Sequence, residues 1–181
     1  MKLISRAAVI LALQMVEPSS LKDKEMFDLD IILNFNLTYE TRRRYLDNVM
    51  KEKGFTFLGT GRHRRTYLSP NKRFVLKFPN YRAGVEANRN EAFKWKAYLN
   101  NKVTARDGVR YAPCRLLQDC IIMMVAVVEA YGETCGDDSA RDSGAIGGES
   151  TPLGLPDWCF GIDSCQVGKL ANGKLVAYDY A

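Results

Sequence analysis

The sequence predicts an α+β fold in which short strands that return on themselves are combined with one crossing helix and a helical N-terminal segment. Two apolar runs, FVLK and KLVAY, each follow a turn-forming segment and have the length of short strands. A helical pattern lies between them. With 181 residues, 46% of them apolar, the chain has the size of one compact unit with a modest core.

The N-terminal residues 1–54 are predicted to form a helical extension. Lys2 and Arg6 precede an apolar run at 7–16 that has the length of a signal-peptide core but lacks a small-x-small cleavage site. Ten apolar residues are too few to span a bilayer. A cytosolic helix that ends before Pro18 is therefore favoured, and a signal peptide is the alternative.

Two further helices are expected in this extension, one from residue 20 or 21 to Asn34 and one from Thr38 to Lys53. Thr38 is a good N-cap, and Gly54 is a good stop for the second helix. The buried side of that helix is predicted to comprise Tyr45, Leu46, Val49 and Met50.

The next segment predicts three strands joined by tight turns. Strands at 55–58 and 65–68 flank the loop Gly59-Thr60-Gly61-Arg62-His63-Arg64, and a turn at 69–72 leads into a strand at 73–78. Glycines in such a loop let backbone amides approach phosphate oxygens, and the arginines add positive charge. The alternative is that Gly59 and Gly61 only form a hairpin turn.

Lys77 lies on the third of these strands, on the same face as Val75. An ammonium buried there needs a carboxylate, a bound phosphate or both, because burial without a partner is costly. The helical pattern at 86–99 offers Glu91, beside an apolar stripe of Ala92, Trp95 and Leu99, and Glu86 at the expected helix start. The alternative is an edge-strand lysine that only discourages aggregation.

This order of parts resembles the small lobe of the protein-kinase-like superfamily. GTGRHR stands where the family has its glycine-rich loop, with Arg64 at the third glycine, and VLK stands for the lysine segment. The segment 111–130 resembles the next two strands. QVGKLANGKLVAYDYA, with a turn at Asn172-Gly173, resembles the hairpin that leads to D-F-G, here Asp179-Tyr180-Ala181. The resemblance covers roughly residues 55–130 and 160–181.

The resemblance implies an antiparallel five-stranded kinase-like small lobe at 55–181 with one crossing helix and a C-terminal β-hairpin. It also implies an ATP site. Lys77 would hold the α- and β-phosphates and Glu91 would orient Lys77, while the loop would cover the phosphates and Asp179 would bind Mg²⁺. The implied cofactor-binding residues are Gly59, Gly61, Arg62, Lys77, Glu91, Gln166 and Asp179, with Gln166 at the family's metal-binding asparagine.

The sequence departs from the family at the catalytic base. Counting back from Asp179 puts Gly161 at that position, and the nearby Asp163 is out of register. No activation segment or helical large lobe is recognisable, and residues 131–157 are expected to form a mobile acidic loop. The resulting expectation is a pseudokinase-like interaction protein, of bacteriophage origin, that binds and inhibits a host factor. A reduced ATP-dependent phosphotransferase that uses Asp163 as its base is the alternative.

Charge is unevenly distributed along the chain. Residues 40–110 contain 18 Lys and Arg against 6 Asp and Glu, whereas residues 111–181 contain 4 against 10. Either a basic face meets phosphates or an acidic partner, or the two halves neutralise each other. A third hypothesis is therefore a basic nucleic-acid-binding module without sequence-specific readout. Its candidate contacts are Arg42, Arg43, Arg44, Arg64 and Arg65.

Cysteine usage predicts a reducing compartment. The five cysteines are odd in number and lack C-x-x-C spacing, and there is only one histidine. A disulfide framework or zinc site is therefore not expected. The predicted location is the cytoplasm, that of the host cell if the protein is viral, without membrane association.

Overall fold

The computed structural model describes residues 27–100, 110–131 and 166–179. These residues fall into two compact units. The first comprises 27–89 and 115–124, and the second comprises 90–100, 110–114, 125–131 and 166–179. The predicted helix at the N terminus, most of the predicted acidic loop, Gly161 and Asp163 lie outside the described residues.

The described elements form an α+β fold. Strands β1 to β5 make one sheet in the order β1-β2-β3-β5-β4, and β6 to β8 make a three-stranded sheet. The prediction of a five-stranded antiparallel sheet with a helix after its third strand and a C-terminal hairpin is confirmed. In chain order the elements are α1 (Leu29–Ile32), α2 (Tyr39–Glu52), β1 (Thr56–Thr60), β2 (Arg64–Leu68), β3 (Phe74–Pro79), α3 (Arg82–Leu99), β4 (Cys114–Leu117), β5 (Ile121–Val125), β6 (Glu129–Ala130), β7 (Val167–Lys169) and β8 (Leu175–Ala177).

Helix α2 has the two end signals that its sequence predicted. The Thr38 hydroxyl accepts the backbone N–H of Thr41 at 3.2 Å, which satisfies one of the free amides of the first turn. Gly54 follows the helix with φ +76°, a left-handed conformation that glycine adopts without strain. The predicted buried residues Leu46 and Met50 are 5% and 0% exposed.

Helix α1 is shorter than predicted. Within the described residues, only Leu29–Ile32 of the helix expected up to Asn34 is α-helical. The carboxylate of Asp28 accepts the N–H of Asp30 at 3.0 Å and caps the start of this turn. The side chain of Asn34 accepts the N–H of Asn36 at 3.2 Å, so a local turn replaces the next helical hydrogen bond.

Helix α3 begins at Arg82, four residues before the predicted start. Glu86 consequently lies in the second turn, where its carboxylate pairs with Arg89 at 3.0 Å on the surface. The interpretation of Glu86 as a residue of the helix start is therefore wrong. None of the helices in the described ranges is both long and apolar enough to cross a membrane.

The core of the first unit lies between α2 and the sheet. Leu46 and Met50 belong to the same buried cluster as Tyr67, Leu76 and Phe78 from β2 and β3. The rings of Tyr67 and Phe78 meet edge to face, with centroids 5.8 Å apart. The sequence alternation that predicted strands therefore also produced the face against which α2 packs.

A hydrogen-bonded group joins α2 to β2 beside this core. Arg65 Nε and Nη2 each donate to a carboxylate oxygen of Asp47 at 2.9 Å, and the Tyr67 hydroxyl donates to Asp47 at 2.5 Å. The Arg65 guanidinium also lies 3.8 Å from the centroid of the Phe57 ring. Burial, followed by the hydrogen bond to Asp47, raises the pKa of Tyr67. Arg65 is thus a buried cation with a bidentate counter-charge.

The second unit is built around a short meander. Strand β7 pairs with both β6 and β8, and Tyr111 forms a parallel bridge with Ala177. The β7–β8 turn matches the prediction, because Gly173 has φ +80° and the Asn172 side chain accepts the Lys174 N–H at 3.1 Å.

Asn88 connects α3 to the five-stranded sheet. Its amide nitrogen donates to the carbonyl of Lys77 at 2.9 Å and to that of Cys120 at 2.7 Å, and the side chain is fully buried. One side chain therefore satisfies two buried backbone acceptors, on β3 and just before β5.

We predict that Asn88→Ala lowers the free energy of unfolding by about 2–3 kcal/mol, since both carbonyls lose their donor in a buried setting. Asn88→Asp should be at least as destabilising, because a carboxylate cannot donate to either carbonyl. Urea unfolding followed by circular dichroism measures both. Asn90→Ala, an exposed change on the same helix, is the control and should be neutral or slightly stabilising. An Asn88→Ala variant as stable as this control would contradict the assignment.

Candidate functional site

Lys77 lies on the central strand of the five-stranded sheet. Strand β3 has β2 on one side and β5 on the other, and Lys77 faces Thr66 in the ladder. The side chain is only 5% exposed, although lysine is among the residues least often buried. The alternative of an exposed edge-strand lysine is therefore wrong.

Glu91 is the most deeply buried acidic residue of α3, with no exposed surface. The buried side of this helix runs through Gly84, Asn88, Glu91 and Trp95 at helical spacing. Of the predicted stripe, Trp95 is buried, whereas Ala92 and Leu99 are half-buried, because the helix turns Asn88 and Glu91 inward. The backbone carbonyl of Glu91 also accepts the Cys114 thiol at 3.8 Å.

Lys77 and Glu91 each have an interaction partner. Lys77 belongs to the first compact unit, whereas Glu91 and Asp179 belong to the second. Their assembly into one site stays a prediction.

The loop after β1 is a tight hairpin turn with Arg62 and His63 at its tip. Gly61 N donates to Arg64 O at 2.9 Å, and Gly59 is paired with Thr66 within the strands. Neither glycine is among the described residues with positive φ, and a Cβ atom at either position would meet no atom within 4 Å. Neither backbone conformation nor close packing therefore requires glycine at 59 or 61, and the covering of phosphates by this loop stays a prediction.

Asn80 holds this hairpin in place. Its side-chain amide donates to Thr60 Oγ1 at 3.2 Å and to Gly61 O at 3.0 Å, and its backbone N–H donates to His63 O at 2.8 Å. Its carbonyl accepts Arg42 Nη2 at 2.9 Å. The sequence reasoning missed Asn80, since an asparagine after a strand usually signals only a turn.

A glycine on α3 allows this close arrangement. A Cβ atom at Gly84 would lie 2.2 Å from His63 O and 3.0 Å from the Cα of Pro79. The first turn of α3 can therefore contact the hairpin only because residue 84 has no side chain.

The C-terminal hairpin places Gln166 opposite Tyr178, the residue before Asp179. Tyr178 N donates to Gln166 O at 3.0 Å, directly after the last pair of the β7–β8 ladder. Asp179 is half-buried at the end of the described segment. Among residues 27–100, 110–131 and 166–179, no three His, Cys, Asp or Glu side chains converge as a metal site would require.

The five arginines of the nucleic-acid hypothesis do not form one exposed stripe. Arg42, Arg64 and Arg65 are at most 8% exposed. Arg43 and Arg44 both bind Glu40, at 2.7 and 2.8 Å. Their hydrogen bonds lower the pKa of the Glu40 carboxyl to about 2. These arginines thus have structural contacts that compete with phosphate binding, which disfavours the hypothesis.

The described geometry establishes the fold and nothing finer. The chain is an α+β protein with a five-stranded antiparallel sheet, a buried lysine on the central strand and a C-terminal hairpin. No protein-family model matches the sequence, and no curated protein matches it either. Among solved structures, the chain is similar to the structure of a streptomycin–ATP–APH(2″)-IIa ternary complex, with 15% identity and a TM-score of 0.32. The similarity covers 55% of this chain and 34% of the other.

We predict that Gly59→Ala and Gly61→Ala leave the free energy of unfolding within about 0.5 kcal/mol of wild type or raise it slightly, because alanine fits both sites and restricts the unfolded chain. Gly84→Ala is the matched control for a glycine that is required sterically, and it should cost about 1–3 kcal/mol. Chemical denaturation compares the three variants. Equal losses in all three would show that the hairpin glycines are structural.

Proposed function

We propose that this protein is a pseudokinase-like interaction protein that retains a Mg-ATP site. The observation that carries the proposal is the ammonium of Lys77, 5% exposed on the central strand of the sheet. A buried cation at such a position suits phosphate binding, since its three N–H donors can be shared between a carboxylate and phosphate oxygens.

The carboxylate in this proposal is Glu91. Both it and Lys77 are buried, and each would be costly to bury without an opposite charge. They also lie on consecutive elements, β3 and α3, in the order that the sequence resemblance requires. In this proposal the Glu91 carboxylate orients Lys77, and the nucleotide phosphates accept the remaining N–H donors of Lys77.

The hairpin of β1 and β2 would cover the phosphates. Arg62 is exposed at its tip and supplies positive charge, and the open space around Gly59 and Gly61 permits close approach of a ligand. Gln166 is hydrogen-bonded to Tyr178, the residue before Asp179, at the end of the second hairpin. In this proposal Asp179 and Gln166 would supply hard oxygen ligands of the kind that Mg²⁺ prefers.

The interaction part of the proposal rests on two features. The sequence has glycine at 161, where a kinase-like enzyme would have its base. Strand β1 is an edge of the sheet, and its Phe57 and Leu58 side chains are 45% and 54% exposed. Exposed apolar residues on an edge strand favour protein binding. We propose that this chain is a bacteriophage protein and that its partner is a host factor, which it inhibits. The support for this identity is the sequence resemblance alone.

We predict that Mg-ATP raises the melting temperature of the wild-type protein by about 3–5 °C at a tenfold excess over its dissociation constant, because it binds only the folded state. Lys77→Met should abolish this rise, since it keeps the apolar stem and removes the phosphate-binding charge. Lys51→Met, an exposed change on α2, is the control and should keep it. The proposed nucleotide site fails if millimolar Mg-ATP has no effect on wild type, or if it stabilises Lys77→Met equally.

We further predict that no γ-phosphate is transferred from labelled ATP to the protein or to a cell lysate in Mg²⁺ or Mn²⁺. A protein that merely binds nucleotide lacks the base that phosphoryl transfer to a hydroxyl employs. Transfer that is lost in both Asp163→Asn and Asp179→Asn would instead establish the reduced phosphotransferase. Affinity capture tests the partner hypothesis separately. We expect the immobilised protein to retain one partner protein in stoichiometric amount, both with and without nucleotide.

A further inference from the structure

Asn88 is a polar side chain of α3 that is buried against the sheet of the first unit. It has no exposed surface, and its amide nitrogen donates to Lys77 O at 2.9 Å and to Cys120 O at 2.7 Å. The amide oxygen has no donor among the described residues. Because both partners of the nitrogen are carbonyls, they fix the orientation of the amide group. In this orientation the side chain serves as a donor to the sheet.

The bond to Lys77 is made to the residue whose ammonium carries the proposed nucleotide site. Lys77 pairs with Thr66 of β2, and β5 lies on the other side of β3. Cys120 comes directly before β5. The Asn88 amide therefore bridges β3 to the start of β5 at the level of Lys77. Since hydrogen bonds have narrow limits of distance and angle, this bridge fixes the backbone of Lys77.

The position of the Lys77 backbone matters because a lysine ammonium stands at the end of a flexible stem. Its reach to a phosphate depends on where the stem begins and on the groups that enclose it. Lys77 is 5% exposed, so the surrounding side chains restrict the stem to few conformations. A shift of the strand would therefore move the ammonium with it.

A second contact from the same helix reaches the same segment without involving Lys77. Arg89 Nε donates to Asp119 O at 3.2 Å, from an exposed position on α3. It ties α3 to the residues before β5, as Asn88 does, but its acceptor is not on β3. Arg89 thus separates the general docking of α3 from the specific contact with the Lys77 carbonyl.

We propose that Asn88 is a positioning residue of the Mg-ATP site, whose hydrogen bond to Lys77 O holds β3 where the ammonium meets the nucleotide phosphates. Asn88 does not touch the nucleotide and acts through Lys77. The inference rests on the proposed function, because it concerns the same site. It adds a residue that the sequence reasoning missed, since an asparagine within a helical pattern indicates only a poor helix former.

The test compares the affinity for Mg-ATP among three variants. Isothermal titration calorimetry gives the dissociation constant at a temperature where every variant is folded. Asn88→Ala should raise it by about 10-fold or more, as the loss of a supporting group does at other binding sites. Leu46→Ala removes a buried side chain of α2 and controls for lost stability. Arg89→Ala controls for the docking of α3, and both controls should bind like wild type.

Lys77 itself provides a readout without nucleotide. In protein labelled with ¹³C-lysine, the Cε resonance of Lys77 is assigned with Lys77→Met. Asn88→Ala should shift this resonance, because the strand that carries Lys77 loses its bridge. Arg89→Ala and Leu46→Ala should leave it in place, since neither contact involves the Lys77 carbonyl.

The outcomes separate this role from the nucleotide site itself. If Asn88→Ala binds Mg-ATP as tightly as Leu46→Ala, or leaves the Lys77 resonance unmoved, the positioning role is overturned while the nucleotide site stands. If the wild-type protein does not bind Mg-ATP, the proposed function fails and this role fails with it.

The wild-type protein decides the matter even if Asn88→Ala does not fold. Saturating Mg-ATP should shift the side-chain amide resonances of Asn88 in ¹⁵N-labelled protein. Those of Asn90, exposed on the same helix, should stay unchanged. Asn88 resonances that do not respond to bound Mg-ATP would overturn the proposal.

Discussion

The arrangement of the first unit depends on the buried asparagine at the junction of β3 and α3. Asn80 donates to Thr60 and Gly61 with its side chain and to His63 with its backbone, while its carbonyl accepts Arg42. A single residue thereby joins the first hairpin to α2 at the point where the chain leaves the sheet. An apolar side chain at this position would keep the two backbone bonds but lose both side-chain bonds, to Thr60 and Gly61. Hydrogen bonding and the close fit of Gly84 against His63 therefore position the hairpin together.

Several of the buried polar groups in the described residues join two elements. Asp47, Arg65 and Tyr67 join α2 to β2, and Asn88 joins α3 to two strands. Directional bonds fix relative position more narrowly than apolar contacts, which tolerate sliding. Lys77 and Glu91 are also buried, on the central strand and on the helix that follows it, and the proposed nucleotide site rests on these two charges.

Local sequence signals predicted the elements that are stabilised locally. Thr38 and Gly54 set the ends of α2, and Asn172-Gly173 set the second hairpin, because capping and turn formation involve only neighbouring residues. The start of α3 was misjudged, since it depends on Gly84 fitting against His63, a contact that no local pattern reveals. The sequence analysis treated the arginines as surface charge because no local pattern reveals their partners either. Arg65 finds its carboxylate on a different element, 18 residues away.

The sequence by itself determined that this protein has an α+β fold with paired short strands, a helix after Lys77 and a C-terminal hairpin, because alternation, capping and turn chemistry act over a few residues. It also singled out Lys77 as a charge in an apolar strand. Only the tertiary structure decided that Lys77 lies on a central strand, that Glu91 is fully buried, and that Asn80 binds both the first hairpin and Arg42. These properties depend on which elements pack around a side chain. Those elements are distant in the sequence, so only the complete fold determines which side chains are buried.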